Sequence, residues 1–136
     1  MSITVKTYKS RLAKWLDNLV NRKFKQTTGQ LFKLKENSDE LIAEAHCCLS
    51  VAVQTYNECQ PKKLEIKIES VDYYTGPQTD GMPDIVAEWL GLTTKGQDLC
   101  IDMNDSQNKK FYQIKRELER HPEKYFHWAK KDKNEK

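Results

Sequence analysis

No apolar run in this sequence approaches the about 20 residues that a membrane-spanning helix needs. The first ten residues, Met1 to Ser10, lack the apolar core of a secretory signal peptide. Both absences point to a cytoplasmic protein with no membrane partner. Glycine is scarce too, with 5 in the chain, and neither a Walker loop nor a GxGxxG stretch is present to cradle phosphates. The 4 cysteines, Cys47, Cys48, Cys59 and Cys100, show no CxxC spacing, which excludes zinc-ribbon and thioredoxin-type sites. Adjacent cysteines such as Cys47 and Cys48 bridge each other only under strain, so reduced thiols are expected. Asp98 and Asp102 lie close together but lack the sixth-position glycine and twelfth-position glutamate of a calcium loop. No metal and no cofactor are therefore expected. Internal repeats, low-complexity segments and interdomain linkers are absent as well.

Apolar residues are sparse: 38% of the chain, against the usual ~45–50%. At 32%, charged residues exceed the usual quarter. A modest core under a strongly solvated surface follows, and the 10% aromatic content is too high for a disordered chain. The 23 basic and 20 acidic residues leave a net charge of +3, too even to imply nucleic acid by itself. Its placement is uneven, with one basic stretch at Arg22, Lys23, Lys25, Lys33 and Lys35 and another at Lys130, Lys131, Lys133 and Lys136. We expect one globular domain over residues 1–130 and a loose basic tail over 131–136.

Hydrophobic spacing places the elements. Leu12, Trp15, Leu16, Leu19 and Val20 share one face of a helix over 5–21. Residues 23–34 change period, and a hairpin with Gly29 at its turn fits. A central helix carrying Leu41, Ala45, Cys48, Leu49, Ala52 and Tyr56 follows, starting either near Ser38-Asp39 or after a break before His46, and ending at Gln60-Pro61. Leu64, Ile66 and Ile68 alternate as a half-buried strand, 71–75 reads as a second strand or extended segment, and 75–82 as a loop. Tyr73 and Tyr74 fit half-buried strand positions better than an exposed aromatic patch for a partner. Pro83 opens a helix that Gly91 closes. Leu99 to Met103 alternates as a short strand, Asp105 or Ser106 caps a helix bearing Phe111, Ile114 and Leu118, and His121-Pro122 stops it. A last short helix over 122–130 docks Tyr125, Phe126 and Trp128. The sum is an α+β fold: a small antiparallel sheet, made of the hairpin plus two or three short strands, packed against three to four helices.

Several short blocks in order, Trp15-Leu16, Phe24-x-Gln26 with Gly29-x-Leu31, Cys47-Cys48-Leu49-Ser50-Val51, Glu88-Trp89-Leu90-Gly91-Leu92, and Asn104-Asp105 before Phe111 and Ile114, together resemble a family of small bacteriophage proteins of uncharacterised function. That family carries CCLGV, WLGL and Asn-Asp blocks. The resemblance covers roughly residues 11–118; Ser50 stands where the family has glycine, and Val53 where a third cysteine is common. It implies a viral accessory role in a host cytoplasm, including interference with host defence, and transfers no activity.

Three chemistries remain. A thiol at a helix N-terminus is a potential nucleophile, because unpaired N–H groups favour the thiolate, and Cys47 with neighbouring His46, or Cys48, would be the pair for a hydrolase or transferase. Ordinary burial of the cysteines is the competing account. Gln26, Thr27, Thr28 and Gly29 offer amide and hydroxyl groups to a small anion. With Cys48, Asn104 and Asp105, Gln26 and Thr28 are the candidate ligand-binding residues, although Asn104-Asp105-Ser106 also reads as a plain helix cap. The basic hairpin with Arg22, Lys23, Lys25, Lys33 and Lys35 would serve nucleic acid, its Phe24 and Phe32 stacking on bases, or would simply be an amphipathic hairpin with wet lysines. No complete catalytic constellation is present. The working expectation is a binding protein that recognises a host protein or other host macromolecule or sequesters a small nucleotide-like ligand, with the cysteine enzyme and the nucleic-acid binder as alternatives.

Overall fold

Trp15, Leu49, Val51, Leu90, Ile114, Leu118 and Phe126 are almost wholly enclosed and belong to one apolar cluster fed by helices from both halves of the chain. The computed structural model describes residues 3–37, 39, 42–67 and 82–129. Helix α1 runs Val5–Val20. Thr4 caps it, its hydroxyl accepting from the Thr7 N–H at 3.2 Å. Leu12, Trp15, Leu16 and Leu19 face inward as their spacing requires, while Val20 stays exposed. Strands β1 (Phe32–Leu34) and β2 (Ala43–His46) form an antiparallel sheet, Phe32 opposite His46. Helix α2 (Cys48–Glu58) follows directly, then α3 (Asp84–Leu90), α4 (Thr94–Ile101), a π-helical turn (Asp102–Ser106) and α5 (Phe111–Arg120). This is an α+β fold with a small antiparallel sheet packed against helices. No helix among the described residues is long and apolar enough to cross a membrane.

The sheet differs from the expected hairpin. Gly29 does turn the chain, at φ 79°, but its two arms do not pair with each other. Residues 25–27 bind one edge of His46: the His46 N–H donates to Lys25 O at 2.7 Å, and the Thr27 N–H donates to His46 O at 2.8 Å. β1 takes the opposite edge, where the Cys47 N–H donates to Leu31 O at 2.8 Å. β2 is thus inserted between the arms. A period of two tells which face of a strand is apolar, not which strand lies beside it.

Two further strands are also corrected. At Leu64, a 3₁₀ turn (Lys62–Leu64) replaces the strand and leaves that side chain exposed. Ile66 pairs with no strand among the described residues; the Asn57 carboxamide binds both its N–H and its C=O, at 2.8 and 2.9 Å. Leu99 to Met103 is helical because Thr93 caps α4 through the Gly96 N–H at 2.9 Å. The helix beginning α2 starts at Cys48, after β2, rather than near Ser38. α5 starts at Phe111 with Lys110 as its cap, not at Asp105 or Ser106, which belong to the π turn. Pro83 is the cap of α3 rather than its first residue. Gly91 ends α3 at φ 70°, and any Cβ there would lie 2.3 Å from Trp128 Cδ1, so the indole packs where only glycine leaves room. In place of the last helix, a 3₁₀ turn (Pro122–Lys124) leads Tyr125, Phe126 and Trp128 into the core. Ile68, Tyr73, Tyr74, the segment expected at 71–75, residues 75–81 of the expected loop, and the tail 131–136 lie outside the described residues.

Candidate functional site

Cys47 keeps extended backbone (φ −82°, ψ 174°) and stands as the N-cap of α2. Cysteine lacks the short oxygen that normally accepts the first N–H groups of a helix. The acceptor for Cys48 N–H comes instead from far along the chain: Asn104 Oδ1, at 3.2 Å. Asn104 is 1% exposed. It reaches this place because the π turn, closed by the Gln107 N–H donating to Asp102 O at 2.9 Å, directs Met103 and Asn104 inward together.

Every valence of the Asn104 carboxamide is filled. Its Nδ2 donates to Thr27 O and to Asp105 Oδ1, both at 2.8 Å. Its Oδ1 also accepts from Gln26 Nε2 at 2.9 Å. Gln26 Nε2 donates in addition to Lys109 O at 2.8 Å, and Gln26 Oε1 accepts from the Phe111 N–H at 3.1 Å, which satisfies the start of α5. Asp105 Oδ1 accepts from the Gly29 N–H at 3.0 Å. The fold thus brings together four of the five residues singled out for ligand binding, Gln26, Cys48, Asn104 and Asp105. They bind one another, tying the Gly29 loop, α2, the π turn and α5 into one network. Thr28 stands exposed at its edge.

Beside this network lies a cleft of about 280 Å³, lined by Gln26, Thr27, Thr28, Asn104, Asn108, Lys109 and Lys110. Its charged lining residues are Lys109 and Lys110, and Thr27 and Thr28 add hydroxyls. The start of α5 borders the cleft through Lys110, and its first N–H groups are engaged within the protein: Gln113 Oε1 accepts from the Lys110 N–H at 2.8 Å and Gln26 Oε1 from the Phe111 N–H. Asn108, Lys109 and Lys110 were not legible as site residues. The only signal was a polar run between Ser106 and Phe111, which reads equally well as the first turn of a helix.

The cysteine constellation is placed differently. Cys47 is 2% exposed and Cys48 is fully enclosed. Burial pushes the Cys47 thiol well above its ordinary value, and the neighbouring Cys48 adds to this, outweighing the N–H groups of Leu49 and Ser50. A hydrogen bond with Cys100 and burial do the same to Cys48, whose Sγ also donates to Cys100 O at 3.5 Å. These are environments of packed thiols rather than of activated nucleophiles. His46 turns away from Cys47: its Nδ1 bonds Ser50 Oγ at 2.7 Å, and its ring lies edge-on to Phe24. His127 meets Tyr8 and His121 meets Glu123. A thiol reagent at neutral pH is therefore expected to label exposed Cys59 quickly in the folded protein and Cys47, Cys48 and Cys100 only on unfolding. Fast labelling of Cys47 or Cys48 would reinstate the nucleophile.

His46 carries its own consequence. Burial lowers its pKa to about 4. The unfolded chain takes up a proton near pH 6.5, whereas the folded one resists until about pH 4, so stability is full above pH 6.5 and falls as pH drops towards 4. The loss expected from this group is about 2–3 kcal/mol. Urea midpoints of wild type and His46→Phe across that range check it: the slope should flatten in the variant.

The five basic residues do not form one ribbon. Lys23 pairs with Glu58 at 2.6 Å, and Lys33 faces Glu44 across the sheet at 3.9 Å. Arg22 sits in a left-handed turn at φ 68°, Lys35 lies on the exposed side beyond β1, and Lys25 lines a second cleft beside His46. Two of the five positive charges that a polyanion would meet are already answered locally.

Comparison with known proteins adds no relative: no family model, no curated protein and no solved structure matches this chain.

Proposed function

We propose that this protein binds a small phosphate-bearing, nucleotide-like ligand in the cleft between Thr27-Thr28 and Asn108-Lys110, and that it acts by sequestering the ligand rather than by turning it over. The observation that supports this reading is the lining of that cleft. Two lysines and two hydroxyls meet there with no unanswered carboxylate, since Asp105 is engaged by Gly29 and Asn104. Such a set suits phosphate oxygens. The saturated network behind it holds the walls still, which lowers the entropic cost of binding. The short blocks that resemble phage proteins supply a setting, an accessory protein at work in a host cytoplasm and directed against host defence.

Titration calorimetry with pyrophosphate and nucleoside diphosphates tests the reading. Binding should weaken with salt and fall by about tenfold or more in Lys109→Glu/Lys110→Glu, the equivalent of about 1.4 kcal/mol. Unchanged affinity in that double variant, or no binding of either probe, would remove the proposal.

A further inference from the structure

A second cleft lies on the other side of the 23–28 segment. It measures about 540 Å³, and its walls come from Phe24 and Lys25, from β2 with Ile42 before it, from Gln54 and Asn57 of α2, and from residues 65–67. This size accommodates a small organic ligand, for which pockets of about 300–1,000 Å³ are usual.

What sets the cleft apart is the imidazole in its lining. His46 is 7% exposed, so more than nine-tenths of it is buried. Nδ1 is engaged by Ser50 at 2.7 Å. Its other nitrogen, Nε2, has no hydrogen-bond partner among the described residues. A polar group that deeply buried normally finds one, and leaving it without costs free energy. Because burial keeps the ring neutral at physiological pH, Nε2 is either a donor or an acceptor. The Ser50 hydroxyl decides which: if it donates to Nδ1, Nε2 carries the proton; if it accepts, Nε2 presents its lone pair. The site therefore adapts to either polarity.

The remaining lining narrows the ligand class. The Gln54 carboxamide adds one acceptor and two donors beside the imidazole. The Asn57 carboxamide spends one donor and one acceptor in holding Ile66, so it fixes the wall, and recognition is assigned to His46 and Gln54. Phe24, Ile42 and Ile66 supply apolar surface. Among the charges, Glu44 is answered by Lys33 and Lys23 by Glu58, Glu65 and Lys67 stand exposed along the 65–67 wall, and Lys25 stands exposed at the rim. A mixed polar and apolar cleft with amide and imidazole groups and an exposed cation at its rim matches a flat ring that carries both donors and acceptors on its edge and an anionic group outside it.

We propose that this cleft is a binding site for a nucleobase bearing a 5′-phosphate, read by His46 Nε2 and the Gln54 carboxamide, with Lys25 at the phosphate. It is separate from the Thr28–Lys110 cleft and stands or falls independently of it.

The test is heteronuclear NMR of the full chain titrated at millimolar concentration with the adenosine, guanosine, cytidine and uridine 5′-monophosphates. At least one of them should shift the His46 ring Nε2 signal together with the backbone signals of Lys25, Ala43 and Ile66. His46→Phe keeps a flat ring and removes the nitrogens; it should weaken binding by about tenfold, the loss of one buried hydrogen bond. Gln54→Leu changes a half-buried helix position and leaves the Ser50 contact alone, so it provides the same reading should His46→Phe fail to fold. The proposal is overturned if none of the four nucleotides moves these signals, if shifts are confined to Thr27, Thr28, Lys109 and Lys110, or if Gln54→Leu binds as tightly as wild type.

Discussion

Replacing Trp15 by alanine will cost about 4 kcal/mol of folding stability, a large part of the about 5–15 kcal/mol available to a domain of this kind. The indole is completely enclosed. It sits where α1 meets α2 and the C-terminal aromatic segment, edge-on to Phe126 with ring centres 6.4 Å apart. Its Nε1 donates to Cys48 O at 3.0 Å, so it also ties α1 to the first turn of α2. Truncation leaves a cavity on the inner face of α1, and the helices around it cannot close in without disturbing the Asn104 contact on the same residue, Cys48. Trp15→Phe fills most of the volume and loses only the hydrogen bond, so it should cost about half as much. Chemical denaturation of both variants gives the comparison. A loss below about 1 kcal/mol for the alanine variant would show that the core does not depend on this ring.

Asn104→Leu is expected to cost about 3–4 kcal/mol although it removes almost no volume. The reason is the company it leaves behind. Thr27 O, Cys48 N–H, Gln26 Nε2 and Asp105 Oδ1 each lose a partner inside the protein. Gln26 and Asp105 retain other bonds, to Lys109 O and Phe111 N–H and to Gly29 N–H, so the damage should spread through the network rather than stop at one site. Faster amide hydrogen exchange at Gly29, Cys48 and Phe111 would report that spread. In a double-mutant cycle, Gln26→Leu should add much less in the Asn104→Leu background than alone. Strict additivity would mean that the two carboxamides do not act as a unit.

The same network shows how far sequence reasoning reached. Gln26, Asn104 and Asp105 stood out as amide and carboxylate groups near turns, and the fold does gather them around Cys48. Their partners were not readable, because the bonds join positions 78 apart, as in Gln26 with Asn104, and local pattern carries no signal for such contacts. Asn104-Asp105 looked like a helix cap, and it does satisfy a helix start, but that of α2 rather than the helix that follows it in the chain. The pairing of His46 with Cys47 was suggested by adjacency alone. Neighbouring residues of an extended segment point to opposite sides, so the imidazole went to Ser50 and Phe24.

The sequence by itself determined the elements whose pattern is long and one-sided. α1 and α5 follow from apolar residues three and four apart, and Gly91 ends α3 because the chain there needs a positive φ. It also determined the class, α+β with a small antiparallel sheet packed against helices, although of the alternating runs only the one at Phe32–Leu34 is a strand among the described residues, and its partner Ala43–His46 lay within the expected central helix. Only the tertiary structure decided the rest: that β2 enters between the arms of the Gly29 turn, that the alternating Leu99 to Met103 is helix and π turn, and that the cysteine pair is sealed while two clefts stay open beside it. Alternation over a few residues says which side is apolar, whereas the neighbour on that side is chosen by packing across the whole chain.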